Sequence, residues 1–255
     1  NRRSIPVKIE WEEISSQHFT VFARAGDKDV ANQLIDFLEA NYQNLTSRLG
    51  EMKTKTVIYM TGSVEEMNLI NPYAHPYYSY MDDVIFVCSC KDVKGDALKE
   101  FIYRLVINNY PTYFNMKKFM FDQENWLLDG VTSYLAATIT APVEKKYEDA
   151  FTSARTSFQW YGYGSDAQYG AVHSFLKFLE SKYGSAVVDK TLEYLRSGMI
   201  SNHRCSALEE CAMLRAVYDM VGLDLDNKRN TLSFKNLIEE WEQYLQDEYG
   251  ISALG

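Results

Sequence analysis

The spacing of apolar residues changes once along the chain, near Asp96, and this change limits the possible folds more than any other feature. Before it, short runs such as Thr56-Val57-Ile58-Tyr59-Met60 are rich in the β-branched and aromatic residues typical of strands. After it, apolar residues recur every three or four positions, which is the spacing of helices. Strands with a single helix, followed by helices alone, predict an α+β fold.

The individual elements follow from these spacings. The predicted strands cover 7–11, 18–22, 56–60 and 83–88, and a helix covers 30–49. The later helices are predicted over 97–109, 123–140, 167–183, 185–196, 207–221 and 233–249. We therefore expect a lobe over residues 1–140 with strands and helices, and an all-helical lobe over residues 141–255.

The composition narrows the classes of partner. Of 255 residues, 26 are Lys or Arg and 35 are Asp or Glu, so the net charge is −9. A chain this acidic lacks an overall basic surface for nucleic acid or anionic lipid. Its most apolar stretch, 127–139, contains Asp129 and is too short for a membrane span. We predict no nucleic-acid partner and no transmembrane segment within the sequence.

The 4 cysteines stand as two close pairs, Cys88 with Cys90 and Cys205 with Cys211. Cys88 and Cys90 fall at the end of a predicted strand, where residues two apart have Cα atoms about 6.6 to 6.8 Å apart, the upper limit for a disulfide. The paired C-x-x-C spacing of a zinc knuckle is missing. Since cysteine is commonly buried, we expect buried free thiols, with disulfides as the open alternative.

Two predicted helices carry the segments that point to a function. One is Leu98-Lys99-Glu100-Phe101-Ile102-Tyr103-Arg104, which follows a strand, and the other is Trp126-Leu127-Leu128-Asp129-Gly130-Val131-Thr132-Ser133-Tyr134. The second segment resembles the Trp-Leu-x-Glu-Gly-x-x-x-Tyr/Phe run of the gluzincin zinc peptidases. The first lies where those enzymes carry His-Glu-x-x-His. Stretches within 11–50, 168–184 and 241–245 are similar to peptidase MA-like proteins of the same class.

The resemblance implies a thermolysin-like fold, with a small mixed sheet and helices in the first lobe, and a set of site positions. In gluzincins two histidines at i and i+4 and a carboxylate from the next helix bind Zn²⁺, and a glutamate acts as general base on the metal-bound water. Carried over, the ligand positions become Lys99, Tyr103 and Asp129, while Glu100 keeps the position of the base. A protonated lysine has no lone pair, and a neutral tyrosine is a poor ligand. The resemblance therefore implies that zinc is lost and that no cofactor is bound.

Lys99 suggests a replacement for the missing metal charge. Its ammonium group would lie beside Asp129 and Glu100 and would compensate carboxylates that are otherwise buried without a partner. The alternative is that Lys99 and Glu100 belong to an ordinary solvated helix face.

Further cleft residues are implied by the same resemblance. Val84 and Phe86 would lie on the edge strand that lines the cleft, and Tyr134 holds the aromatic position of the second segment. An open strand edge binds an extended peptide through main-chain hydrogen bonds. Tyr169 is the candidate for stabilising an oxyanion, with His173 as an alternative and core packing as the ordinary explanation for both.

Three functions remain open from the sequence. The first is a catalytically inactive gluzincin homologue that binds a polypeptide or protein partner in the former active-site cleft. The second is an active hydrolase with an altered centre built on Glu100 and Asp129. The third is a surface or scaffold module without a functional cleft. Because peptidase MA-like proteins are commonly exported and the sequence begins with Asn1, an extracytoplasmic location is favoured over a cytoplasmic one.

Overall fold

The computed structural model of the protein describes residues 10–70, 84–110, 126–140, 166–198, 208–227 and 229–250. The chain forms two compact units, Asn1–Asn109 and Tyr110–Gly255. Within the described residues, no helix is both long enough and apolar enough to cross a membrane.

The first unit contains a four-stranded mixed sheet. Its strands are β1 (Glu12–Ser15), β2 (Phe19–Ala23), β3 (Thr56–Thr61) and β4 (Val84–Cys88), in the spatial order β1-β2-β3-β4. β1 pairs antiparallel with β2, while β2, β3 and β4 are parallel to one another. Parallel neighbours need crossover connections. Helices α1 (Lys28–Leu49) and α2 (Val64–Ile70) lie in these connections, and α3 (Val93–Asn109) follows β4.

The two faces of the sheet differ because side chains alternate along each strand. The inner face is buried to 2 % exposure or less and is formed by Phe19, Val21, Ile58, Met60, Ile85 and Val87. Helices α1 and α3 contact each other and the sheet, α1 at β2 and α3 at β4. On the other face the rings of Phe22, Tyr59 and Phe86 form a stacked row, with centroids 4.9 and 5.7 Å apart. These side chains are only partly buried.

The first strand was predicted over residues 7–11, and this prediction is wrong for the two residues that the structure describes. Glu10 and Trp11 precede the first strand, which is Glu12–Ser15, while residues 7–9 lie outside the described part. The short connection to β2 explains the difference. Ser15 pairs with Thr20 and the Ser16 N–H donates to the Phe19 carbonyl, so the residues directly before the turn must form the hairpin.

Helix α2 was not predicted, although the sequence carries a signal for it. Ser63 precedes the helix, and its Oγ accepts a hydrogen bond from the backbone N–H of Glu66 at 3.1 Å. A serine followed three positions later by glutamate is a known helix start. Helix α3 also begins one turn before the predicted residue 97, because Asp92 Oδ1 accepts from the Gly95 N–H.

The regular elements of the second unit, in its described residues, are all helices. They are α4 (Trp126–Ile139), α5 (Asp166–Tyr183), α6 (Ala186–Ser197), α7 (Leu208–Met220) and α8 (Phe234–Tyr249). Helix α4 packs on α5 and α6 packs on α7. The α+β prediction is thus confirmed at this level: a mixed sheet with helices, followed by an all-helical region.

One close approach positions α4 on α5. A Cβ built at Gly130 would lie 2.0 Å from Val172 Cγ1, far inside van der Waals contact. Only a residue without a side chain allows the helices this separation. Further along α5, the fully buried Phe175 contacts Phe234 and Trp241 of α8, and the Trp241 indole N–H donates to Ser174 Oγ at 3.0 Å. These contacts fix α5 at the centre of the unit.

The prediction of free thiols is wrong. Cys88 and Cys90 form a disulfide with Cα atoms 5.2 Å apart, and Cys211 is also disulfide-bonded. The predicted strand spacing applied to two residues within β4, but β4 ends at Cys88 and the chain turns through Ser89 and Cys90. The turn shortens the distance between the Cα atoms into the ordinary disulfide range.

Candidate functional site

Helix α3 is held at the sheet by its polar as well as its apolar residues. The guanidinium group of Arg104 donates from Nη2 to the carbonyl oxygen of Val84 at 2.7 Å, and Arg104 itself is 7 % exposed. Phe101 packs edge-to-face on Phe19 with the ring centroids 5.0 Å apart. Together these contacts tie the middle of α3 to the first residue of β4 and to the inner face of the sheet.

Glu100 is the most unusual residue of this helix. Its side chain is buried at 8 % exposure. Among the described residues it makes no hydrogen bond and no ion pair. Burial raises the pKa of its carboxyl from 4.5 to about 7; the charge of Arg104 lowers it and the charge of Asp96 raises it further. A carboxyl in this state is partly protonated at neutral pH, so it can both accept and donate a proton.

The two positions that would carry zinc-binding histidines flank Glu100. Lys99 is partly exposed, whereas Tyr103 is buried at 7 % exposure. Among the described residues Lys99 forms no ion pair, so no contact with Glu100 supports the hypothesis that Lys99 replaces the metal charge. Its contact with Asp129 stays a prediction, because the Asp129 side chain lies outside the described residues. Adjacent positions on a helix point in different directions, so Lys99 stays partly exposed while Glu100 is buried. The alternative explanation, a solvated helix face, holds for Lys99 but not for Glu100.

Asp129 and Tyr169 belong to the second unit, on α4 and α5. Their side chains lie outside the described residues, so their roles as third ligand position and oxyanion residue stay predictions. The neighbouring Gly130 is described, and its close contact with Val172 accounts for the glycine of the Trp-Leu-x-Asp-Gly run by packing alone.

Tyr134 lies in a contact between α4 and α5. It is 3 % exposed, its hydroxyl donates to Glu180 Oε2 at 2.8 Å, and its ring is edge-on to His173 with centroids 5.7 Å apart. Burial, followed by the charge of Lys177, lowers the pKa of His173 to about 4, while a hydrogen bond with the Ser133 backbone raises it. His173 is therefore neutral at pH 7. These contacts join the two helices.

Val84 and Phe86 are on the face of β4 that α3 does not cover, and both are partly buried. β4 is the last strand of the described sheet and pairs with β3 alone. The prediction that these residues belong to an edge strand is consistent with this order. In general, an outer strand presents backbone groups that a further strand can pair with. At Val84 the carbonyl already accepts the hydrogen bond from Arg104.

The residues at positions 99 and 103 do not fit a zinc ion. An ammonium group has no lone pair to donate, and a neutral phenol is a poor metal ligand near pH 7. Within the described parts of the chain, no group of three His, Cys, Asp or Glu side chains is placed to hold a metal ion. The chain matches no family model, no curated protein and no solved structure.

Proposed function

We propose that the protein is a catalytically inactive relative of the gluzincin metallopeptidases, with a thermolysin-like fold, that binds a polypeptide beside α3. The observation that carries the proposal is Glu100. By the gluzincin correspondence, Glu100 holds the general-base position of the first segment. It is buried on α3, the helix that follows β4. The two positions that correspond to zinc-binding histidines hold Lys99 and Tyr103 instead.

The chemistry of these three residues argues against zinc-dependent hydrolysis. A gluzincin base works as an ionised carboxylate beside a metal-bound water. Without the two imidazoles, the helix has no local means of holding the metal.

The edge of β4 supports polypeptide binding. A peptide in extended conformation adds to a sheet edge by main-chain hydrogen bonds, and the side chains of the edge strand then supply selectivity. Val84 and Phe86 give this edge an apolar, partly exposed face. The hydrogen bond from Arg104 to the Val84 carbonyl fixes the start of the strand.

One observation favours the alternative of an active hydrolase with an altered centre. The carboxyl of Glu100, with its pKa raised to about 7, has the value expected of a general acid or base at neutral pH. This alternative requires Asp129 as the second carboxylate. It predicts metal-dependent or metal-independent cleavage of a polypeptide that Glu100→Gln abolishes.

Restoring the zinc ligands tests the family assignment. We expect the double variant Lys99→His/Tyr103→His to bind Zn²⁺ at least about a hundredfold more tightly than the unaltered chain, because the gluzincin correspondence adds Asp129 to the two imidazoles as a third ligand. The control is Gln43→His/Ser47→His, which puts the same i, i+4 pair on exposed positions of α1. Zinc affinity is measured by competition with a chromophoric chelator, and folding by circular dichroism.

Two outcomes of this experiment contradict the proposal. If the folded α3 variant binds zinc no better than the α1 control, the correspondence of Lys99 and Tyr103 with the histidines is wrong. If the unaltered protein binds stoichiometric zinc, the loss of metal is wrong and the active hydrolase replaces the inactive relative.

Polypeptide binding is tested at β4 with a matched pair of substitutions. Val84 and Val57 are directly paired across β4 and β3, and both are partly exposed on the same face. Fluorescein-labelled casein serves as an unfolded polypeptide, and binding is followed by fluorescence anisotropy. We expect Val84→Glu to weaken binding at least about tenfold and Val57→Glu about twofold or less, because a strand added at the edge contacts β4 first. Equal effects, or no binding by the unaltered chain, would refute edge binding.

The disulfides support an extracytoplasmic location as part of the proposal. Cys88, Cys90 and Cys211 are all in disulfides. Disulfides persist mainly in oxidising compartments, whereas cytosolic thiols are kept reduced. The cytoplasmic alternative predicts free thiols in protein isolated under alkylating conditions.

A further inference from the structure

The Cys88–Cys90 disulfide encloses a single residue, Ser89. Cys88 is the last residue of β4, and the chain then turns before α3 begins at Val93. Two backbone hydrogen bonds hold this turn. The Ser89 N–H donates to the Thr61 carbonyl at 2.8 Å, and the Lys91 N–H donates to the Cys88 carbonyl at 3.2 Å. The turn is therefore anchored to β3 independently of the disulfide.

A disulfide this short contributes little to folding. In the chain-entropy account, a disulfide stabilises a protein by restricting the unfolded chain, and the restriction grows with the length of the loop that it closes. The two cysteines here are 2 positions apart, so almost the whole unfolded chain stays unrestricted. By thermodynamic linkage, a disulfide that adds little to folding also gains little resistance to reduction from the fold.

The two sulfurs differ in access. Cys88 is 2 % exposed, whereas Cys90 is an exposed residue. An incoming thiolate therefore reaches Cys90 Sγ, and Cys88 becomes the leaving group. The Cys90 backbone N–H donates to Cys88 Sγ at 3.3 Å. A hydrogen bond to the leaving sulfur stabilises it as a thiolate, and exchange is faster when the leaving thiolate is more stable.

We propose that Cys88 and Cys90 form a thiol–disulfide exchange site whose substrates are thiolates. The substrate thiolate attacks Cys90 Sγ, the bond to Cys88 Sγ breaks, and the bonding electron pair leaves on Cys88 as a thiolate. The product is a mixed disulfide between substrate and Cys90. A second substrate thiolate attacks the substrate sulfur of this mixed disulfide and releases Cys90 as a thiolate. Two substrate thiolates are thereby oxidised to a disulfide, and the protein disulfide is reduced by two electrons.

This activity goes beyond polypeptide binding and does not depend on it. The attacking groups are a low-molecular-weight thiol or the cysteine of a protein, which share the same chemistry. Cys211 supplies an internal reference, because it lies in a second disulfide of the same chain. Any general reducing effect of the buffer acts on both disulfides.

The test is a redox titration of the full chain in mixtures of reduced and oxidised glutathione. Samples are quenched with an alkylating reagent, and the modified peptides are quantified by mass spectrometry. We expect the Cys88–Cys90 pair to be reduced at a value of [GSH]²/[GSSG] at least tenfold lower than that required for the disulfide of Cys211, a difference of about 30 mV. If Cys88 and Cys90 are reduced only together with Cys211, or after it, the proposal is wrong.

Single substitutions test the direction of attack. In Cys88→Ser the exposed Cys90 keeps its thiol, and in Cys90→Ser the buried Cys88 does. We expect oxidised glutathione to modify Cys90 at least about tenfold faster than Cys88, and equal rates would overturn the assignment of the attacked sulfur. The titration of the unaltered chain remains decisive if a variant fails to fold.

Two substrates separate the sources of the thiolate. The oxidised chain is incubated with reduced glutathione in one arm and with reduced, unfolded ribonuclease in the other. Oxidation of either supports the site and identifies the class of substrate by the faster rate. Oxidation of neither, above the rate of a Cys88→Ser/Cys90→Ser control, refutes the exchange activity.

Discussion

Replacing Glu100 by glutamine should change the stability difference between the variant and the unaltered chain with pH. The difference should favour the variant more at high pH than at low pH. The carboxyl of Glu100 has its pKa raised from 4.5 to about 7, chiefly by burial. A raised pKa means that the folded state binds the proton more tightly than the unfolded state does. Ionisation therefore costs folding free energy, and this cost appears as the pH rises from about 4.5 to about 7.

The size of the effect follows from the shift itself. Each pKa unit corresponds to about 1.4 kcal/mol, so a shift from 4.5 to about 7 costs about 3 kcal/mol once the carboxyl is ionised in both states. Glutamine has nearly the same shape and never ionises. Below about pH 4.5 the glutamate is protonated in both states, so any constant difference between acid and amide is measured there and subtracted.

The assay is urea unfolding of Glu100→Gln and of the unaltered chain at about pH 3.5 and about pH 8.5. We expect the difference in unfolding free energy to change by about 3 kcal/mol in favour of the variant, which is a shift of about 1 to 2 M in the urea midpoint. The control is Glu13→Gln, since Glu13 is exposed on β1 and forms no ion pair among the described residues. This variant shows what a change from glutamate to glutamine does at an exposed site.

A change of less than about 1 kcal/mol in that difference would refute the reasoning. It would mean that the carboxyl of Glu100 meets water or a cationic partner in the folded protein. A carbon NMR titration of the glutamate carboxyls checks the same point directly, because it reads the pKa of Glu100 without unfolding the chain.

Two further predictions concern contacts within each unit. Glu39 accepts hydrogen bonds from Ser16 Oγ, from the His18 backbone and from the His18 ring at 2.6, 2.8 and 2.6 Å. Burial raises the pKa of the Glu39 carboxyl. The three hydrogen bonds and the charge of His18 outweigh burial, so the pKa is lowered overall. Glu39→Gln should therefore cost about 1 to 2 kcal/mol at pH 7 and less as the pH falls below about 4.5, and urea unfolding that shows the same cost at every pH would contradict this. Gly130→Ala should cost about 1 to 3 kcal/mol because its Cβ overlaps Val172. Val172→Gly also removes the Val172 Cβ, which lies 2.4 Å from that position, so Gly130→Ala/Val172→Gly should be less destabilised than the two single changes predict together. Strict additivity of the unfolding free energies would show that the overlap is not the cause.

The sequence determined the classes of element and their order. The switch from alternating to three-and-four spacing predicted strands followed by helices. Alternating apolar residues share one face of a strand, whereas apolar residues three or four apart share one face of a helix. Helices α6, α7 and α8 were each predicted to within a residue or so at their ends. The strand Glu12–Ser15 could not be located from apolar spacing, since its place depends on the hairpin turn and on the partner strand rather than on its own pattern.

The candidate site shows the same division. The order of Lys99, Glu100 and Tyr103 along one helix is a property of the sequence, and so is the absence of histidine from the positions that flank Glu100. Their environments are not. Lys99 and Glu100 are adjacent charged residues, and the sequence alone predicts that both are exposed. Only Glu100 is buried, because the packing of α3 on β4 and α1 decides which side of the helix is covered.

The state of the cysteines was likewise decided in three dimensions. The sequence placed Cys88 and Cys90 two residues apart, and regular strand geometry put them at the limit of bonding. The end of β4 at Cys88 brings their Cα atoms to 5.2 Å. A pattern along the chain predicts which local structure each segment prefers, but burial, pKa and covalent pairing arise from distances between segments, which only the folded chain sets.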